Sequence, residues 1–501
     1  MDNHHDPISW AVTPSSKKSR LKNWLHRKVM VEKLNNAPGF IILLLAAVCI
    51  ACITAFGGLK TGMLLLVAVI AIPSSYGIVA FPKFGILVML ILAYLVFAII
   101  RLGISFPAGT IMDGIEALLV LGFFIKQKEY SDWSMVKHPV GIMILVWIAY
   151  NILQVGNPWA ESRLAWLYTI RSVAFVMLTY FIFALQIRTV GFLRLIIWVW
   201  IALAGAVALY ALKQQYIGFS ASENAWLQSD PLVQELLFIA GQWRKFSFLS
   251  DPVVFSYTMV ISSILTACVA LSEKRIWLKA LLWVLTAIFL YVMLFSGTRG
   301  AYVMVPAAMV FYAVLNLNKK VLFIMCVLGC FITALIFAPI GNPTIQRFQS
   351  AFKPSADASF NTRKANQERI RPYIFSHPFG GGLGATGVWG QRFAPYSFLA
   401  HFPPDSGDVR VAVELGWVGF LIFCILMFVI LKTGIDNYYR IRDPELKSYC
   451  LAMVLIVFAL NIGNYPQEAL VQFPTNIYFY LVTAIIVVTY RLDKQKGNRL
   501  T

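Results

Sequence analysis

The chain has 501 residues, 59% hydrophobic, 14% aromatic and 13% charged, with a formal net charge of +19 and a mean hydropathy of +0.72. An average soluble domain carries roughly 25% charged residues, about twice this share, so the chain lacks the charge to cover a soluble globule. Its apolar residues also gather in long runs, among them 40–55, 284–295 and 451–460, which excludes a disordered, collagenous, coiled-coil or ordinary cytosolic protein and predicts an all-α, polytopic helical membrane protein.

In chain order, a basic N-terminal tail over 1–38 contains Lys17, Lys18, Arg20 and Lys22. The first apolar run lacks a small-residue cleavage site and reads as a retained anchor. Windows of about 20 apolar residues predict about 12–14 transmembrane helices. Their positions are near 39–58, 61–80, 84–100, 110–125, 139–155, 165–186, 192–212, 252–271, 277–296, 300–317, 321–340, 411–432, 448–464 and 474–490. Eleven of these lie within 39–340, a long loop fills 341–410, three more helices lie within 411–490, and a tail follows at 491–501. All seven cysteines sit in or beside apolar runs, so no disulfide framework is expected, and Cys49-x-x-Cys52 reads as small packing residues.

The charge excess follows from topology rather than from nucleic-acid binding. With the N-terminus in the cytoplasm, alternating spans keep Lys126, Lys128, Lys274, Arg275, Lys319, Lys320, Arg440, Arg442, Lys447 and both tails inside. The short outside connections carry only Lys60 and Arg101. Both termini are therefore expected in the cytoplasm. Two outside loops are long, near 213–251 and 341–410, and the second holds eight Lys/Arg against four Asp/Glu. Long translocated loops escape the charge rule, and a positive one beside a bilayer suits an anionic ligand at the outer leaflet.

The chain has no GxxxxGK[ST] loop, no HExxH and no GxSxG, and its six histidines form no i,i+4 pair on one helix. No metal site or cofactor is expected. Four polar constellations remain on the outside face. Arg299 lies in Phe295-Ser296-Gly297-Thr298-Arg299-Gly300-Ala301, where an arginine at membrane depth needs an anionic partner or a role. Arg244 lies in Gly241–Pro252, which reads either as a phosphate grip or as an interfacial anchor. Arg369-x-Arg371 leads to His377-Pro378-Phe379-Gly380-Gly381-Gly382-Leu383-Gly384, where the glycines permit close backbone approach to a ligand. His401, Asp405, Ser406, Asp408 and Arg410 precede Glu414-Leu415-Gly416, with Asp405 and Ser406 as candidate helix caps and Arg410 four residues from Glu414. Arg171 is a further intramembrane charge, fitting either a structural pair or a cavity lining.

In their order and spacing, over roughly 165–430, these constellations resemble the O-antigen ligase/O-antigen polymerase family of bacterial envelope membrane proteins. The resemblance rests on Arg244 to Asp251-Pro252, Ser296-x-x-Arg299-Gly300, His377–Gly384 and Glu414–Phe420. It implies a metal-independent glycosyltransferase of the inner membrane. Such enzymes move a glycan from a polyprenyl-diphosphate carrier to an acceptor hydroxyl, on a glycan repeat or on lipid A-core. By the resemblance, Arg244 and Arg299 hold the diphosphate. The attacking hydroxyl then needs a base, and Asp405 is the expected one, with Asp408 and His401 behind it. Arg369, Arg371, Gly381, Gly382, Arg171 and Arg410 complete the expected substrate contacts. Ligases carry a His-Asn-type pair where this chain has Asp405-Ser406, which leans the resemblance toward polymerisation. A transporter or flippase of lipid-linked glycans is the alternative. It also accounts for the spans, although no pair of Gly/Pro-broken spans recurs in two halves.

Overall fold

The computed structural model describes residues 37–101, 108–130, 133–239, 241–352 and 358–497. Most of the expected 1–38 tail and residues 498–501 lie outside that set. The N-terminal unit, Met1–Tyr76, contributes one helix, α1, Ala37–Ala80, which runs on into the second unit. Two spans were expected here, at 39–58 and 61–80. Gly57 and Gly58 do not part them, because a glycine inside a helix costs about 1 kcal/mol but leaves its hydrogen bonds in place. At 1.5 Å per residue, the 44 residues are more than an apolar slab roughly 30 Å thick requires.

The second unit, Gly77–Thr501, is an antiparallel helical assembly. Its helices are α2 (Pro82–Arg101), α3 (Ala108–Tyr130), α4 (Pro139–Leu153), α5 (Arg163–Gln186), α6 (Val190–Tyr216), α7 (Ala221–Leu227) and α8 (Pro231–Leu237). Then come α9 (Pro252–Ser272), α10 (Ile276–Met293), α11 (Arg299–Leu315), α12 (Lys319–Phe337), α13 (Pro343–Ser350) and α14 (Ala358–Ser376). The last four are α15 (Gly387–Phe393), α16 (Gly407–Arg440), α17 (Pro444–Asn464) and α18 (Thr475–Gly497). Two short strands, β1 (Phe238–Ile239) and β2 (Gln242–Trp243), pair antiparallel. Among the described residues ten helices are long and apolar enough to cross a membrane, and the 17-residue α11 is a shorter apolar one. The expected span at 110–125 is a helix too, interrupted by Asp113 and Glu116. The chain is an all-helical polytopic membrane protein.

Helices α9, α17 and α18 form the centre and are apolar and buried around most of their circumference. At the other extreme α12 buries no residue, a helix that only hydrocarbon can solvate. The connections expected outside meet at one end of the bundle. Arg101 donates to the Ser247 and Ser250 carbonyls, Lys245 N–H to Phe295 O at 3.0 Å, and Asn157 Nδ2 to Phe379 O at 2.9 Å. Those expected inside meet at the other end. Arg194 pairs with Glu445 at 2.7 Å, and Arg491 donates to Ala184 O at 2.7 Å.

Helix α16 is broken at Gly416, where φ is 71° and ψ 179°. A break at membrane depth strands backbone groups that water cannot satisfy. Here the loop 378–382 satisfies them: Gly381 N–H donates to Val413 O and Gly382 N–H to Glu414 O, both at 2.9 Å, while Pro378 O accepts from Val418 N–H at 3.2 Å. Leu415 O accepts from Tyr150 Oη at 2.6 Å. A Cβ at position 416 would lie 2.0 Å from Pro378 O, in a backbone region that is essentially glycine-only. Gly416→Ala is expected to cost about 1–3 kcal/mol in backbone strain alone, before the clash. The purified variant should therefore unfold at a clearly lower temperature than wild type, and an unchanged midpoint would show that the break is not held by this contact.

Candidate functional site

The seat built on Gly416 fixes one side of the outer end. Glu414, 3% exposed, accepts from Gly384 N–H at 3.0 Å and Thr386 N–H at 3.3 Å, and from the Thr386 hydroxyl. Arg410 donates to Glu414 at 3.1 Å and to Glu468 at 2.7 Å, so the i,i+4 pair read from the sequence is present and has a third member. On the far side of the loop, Gln154 and Asn157 donate to Phe379 O. Gly381 and Gly382, expected to approach a ligand, give their N–H groups to α16 instead. Arg410 is engaged by two carboxylates and also lines the cavity below the seat.

The other side is built on the turn between α10 and α11. Residues 294–296 form one 3₁₀ turn, and Gly297 follows in the left-handed region at φ 62°. Ser296 Oγ accepts from Thr298 N–H at 3.0 Å, which tightens the turn, and α11 starts at Arg299. Arg244 folds over this turn: its Nε donates to Ser296 O at 2.6 Å, its Nη2 to Thr298 Oγ1 at 2.9 Å and its Nη1 to Leu236 O at 3.2 Å. Arg347, from α13, donates its Nε to Gly297 O at 3.0 Å. A Cβ on Gly297 would lie 3.4 Å from Arg347 Nε and 3.7 Å from Arg244 Nε, so both guanidiniums flank the same residue. Burial lowers the Arg244 pKa to about 10, and the neighbouring Arg347 and Arg299 charges push in the same direction. Three arginines at the positive end of α11, with Asp251 as a nearby acid acting on Arg244, form a basic place for an anion. Asp251, in the motif ahead of α9, is taken up as that helix's N-cap, accepting from Val253 and Val254 N–H at 2.7 and 3.0 Å.

Asp405 lies between these two sides. It is exposed and, among the described residues, its carboxylate accepts no hydrogen bond. The N-cap of α16 is Ser406, not Asp405. Asp405 shares a small hollow with Arg363, Asn366 and Gln367 of α14. Gln367 Oε1 accepts from Tyr465 Oη at 3.3 Å. The next residue, Pro466, packs on Gly300, where a Cβ would sit 3.0 Å from its ring. The 465–474 connection thus links the Asp405 hollow to the start of α11.

The remaining expected residues lie apart from this arrangement. Arg369 stacks over Phe398 at 5.3 Å and Arg371 over Phe375 at 5.6 Å, and neither lines the Arg244 or Asp405 hollow. His401 Nε2 donates to Pro395 O at 2.7 Å. Asp408 accepts from Asn464 Nδ2 at 2.6 Å and ties α16 to α17. Arg171 forms a 3.1 Å ion pair with Asp113, the structural alternative of the two readings. Arg347, Arg363 and Glu468 were not singled out. Arg347 carried only the signal of a short segment opened by Asn342-Pro343, and Asn342 is indeed the N-cap of α13.

A cavity of about 270 Å³ lies below the seat. Its polar lining includes Arg410, Glu414, Asn151 and Asn464, and its apolar lining Val173, Met177, Phe423 and Met427, so it is amphipathic. Breaking a buried ion pair by removing one partner costs about 3–5 kcal/mol. Because Glu468 still holds Arg410, Glu414→Gln is expected near the lower bound, with loop 378–386 released. Limited proteolysis should then cut within 378–394 while wild type resists, and equal resistance would show that Glu414 does not hold the loop.

Residues 283–424 match the family model described as O-antigen ligase. No curated protein matches the chain. The matched segment runs from α10 through the Gly297 turn, Arg299, Arg347 and Asp405 to the break at Gly416 and just beyond it. It therefore covers most of the site described above, though not Arg244. The chain is a multi-pass membrane protein in which residues 283–424 are similar to the O-antigen ligase family.

Proposed function

We propose that this chain transfers a glycan from a polyprenyl-diphosphate carrier to an acceptor hydroxyl, on another glycan repeat or on lipid A-core, at the outer face of the inner membrane. The observation that carries the reading is the convergence of Arg244, Arg299 and Arg347 on the Gly297 turn, one short connection away from Asp405. A departing diphosphate gains negative charge as the glycosidic bond breaks. Arginine suits it because its planar fork binds phosphate oxygens in pairs and keeps its proton. Arg244 is already oriented by three hydrogen bonds, and such preorganised donors act where charge develops. On this reading arginines do the work that a metal ion does for other diphosphates. The Asp405 carboxylate accepts the acceptor's proton as the hydroxyl attacks the anomeric carbon, and direct displacement inverts that centre. The amphipathic cavity beneath Glu414 suits substrates that are part glycan and part lipid.

The test is transfer from a purified polyprenyl-diphosphate glycan, compared at equal folded protein. Arg299→Lys keeps the charge and loses the fork, and turnover is expected to fall about 10²-fold or more. Asp405→Asn keeps the shape and removes the base, for a loss of roughly 10²–10⁴-fold. Since Ser406 is the cap, Asp405→Asn leaves the helix start intact, so a loss of turnover reports on chemistry. Normal turnover in the first variant removes the diphosphate reading, and in the second it removes Asp405 as base.

The orientation has its own test. A maleimide that does not cross membranes should label Ser376→Cys in intact cells and label Arg442→Cys only after permeabilisation. Both positions are exposed. The reverse pattern would overturn the proposed topology, with the C-terminus in the cytoplasm and 341–410 outside.

A further inference from the structure

At the opposite end of the bundle from the Gly297 turn, a second cavity of about 390 Å³ opens between the start of α4 and the ends of α16 and α18. Arg440, Arg491, Lys494 and His138 line it, against one carboxylate, Asp436. Basic residues are ordinary at a cytoplasmic membrane face, where they hold loops in place. These differ from their neighbours in two respects.

First, they converge in a concavity, while two other cations at this end have acids of their own: Arg194 is paired bidentately with Glu445, and Lys496 with Asp443. Arg440 and Lys494 make no ion pair among the described residues. Arg491 is oriented by carbonyls, donating to Ala184 O at 2.7 Å and Ile187 O at 2.8 Å. The lining thus gathers three cations and one carboxylate.

Second, the neutral partners favour an anion as well. His138 Nδ1 accepts from Val140 N–H at 3.3 Å, which leaves the other ring nitrogen as a donor. His138 is the N-cap of α4, with Pro139 at the first helical position, so the positive end of that helix opens on the same space. Val487, Tyr490 and Met135 give the cavity an apolar wall. A basic pocket between transmembrane helices with an apolar wall has the chemistry of a site for a lipid phosphate.

We infer that this cavity binds a phosphate group, supplied by an anionic lipid headgroup or by free phosphate. The assignment is independent of glycan transfer, and its test reads binding. The full chain, purified in neutral detergent, is titrated with phosphatidylglycerol, with phosphatidylcholine and with inorganic phosphate, and the unfolding midpoint is followed. Phosphatidylglycerol should raise the midpoint, and phosphatidylcholine should not. In the double variant Arg440→Gln/Lys494→Gln the apparent affinity should fall about tenfold or more. Arg442→Gln, an exposed cation at the same end that does not line the cavity, should behave as wild type. A shift with inorganic phosphate as large as with the lipid identifies free phosphate as the source, and a shift with the lipid alone identifies the headgroup. If the double variant does not fold, Lys494→Gln and the charge-keeping Arg440→Lys are compared, and only the first should weaken binding. No shift with any probe, an equal shift with phosphatidylcholine, or an equal loss in Arg442→Gln overturns the inference.

Discussion

The outer half of this protein depends on one constraint: a helix that breaks inside a membrane must have its stranded backbone groups satisfied by protein. The break at Gly416 exposes the carbonyls of Val413, Glu414 and Leu415 and the N–H of Val418, and each has a partner from a different part of the chain. Pro378–Gly382 supplies most of them, and Tyr150 the rest. Once that loop is seated, Glu414 cannot turn away from Gly384 and Thr386, and Arg410 and Glu468 are drawn into the same cluster. The break thus ties together the start of α16, the glycine loop and the 465–474 connection, which brings the segment bearing Asp405 to a fixed position.

The arginine turn obeys the same logic with fewer parts. Arg244 is brought to residues 296–298 by a compact aromatic segment: Phe246 is buried under Phe219 and Trp226, and Gln214 from the end of α6 holds the Ser247 backbone. Arg347 arrives from the opposite direction on α13. Two half-buried guanidiniums beside a third would repel one another in isolation. Here backbone carbonyls absorb part of the charge of Arg244 and Arg347, and Asp251 offsets part of that on Arg244.

Hydropathy made the spans legible, because the cost of exposing backbone and charge to lipid is read residue by residue along the chain. One element escaped it. A continuous 37–80 helix and a pair of spans have the same local apolar content, so windows of 20 residues do not tell them apart. The charge-bearing 108–130 helix was legible as a span, but the partner of its Asp113, Arg171, lies on a helix some 60 positions away. Within the site, Arg410–Glu414 was legible because four residues make one helical turn. Glu468 was not, since its partner lies in another connection. The run Gly380–Gly384 signalled a close approach correctly, but the approaching backbone is that of α16, which no local pattern announces. Arg244 and Arg299 were legible as arginines beside apolar runs, with their role supplied by the family resemblance, and Arg347 was missed because its contact with the Gly297 carbonyl leaves no trace in the sequence.

Helix α12 has a consequence for how this sequence is free to drift. It buries no side chain, and its end is held mainly by Gln349 of α13, which donates to Leu335 O at 3.0 Å and Ala338 O at 2.7 Å. Apart from Ile332, Leu335 and Ile336, which pack against the core, the bilayer reads α12 for oiliness and span. Most apolar permutations of its other residues would serve, whereas adding or deleting a single residue would rotate everything beyond it by about 100°. Its composition is loosely specified and its length is not: α12 behaves as a ruler that decides where Arg347 is delivered.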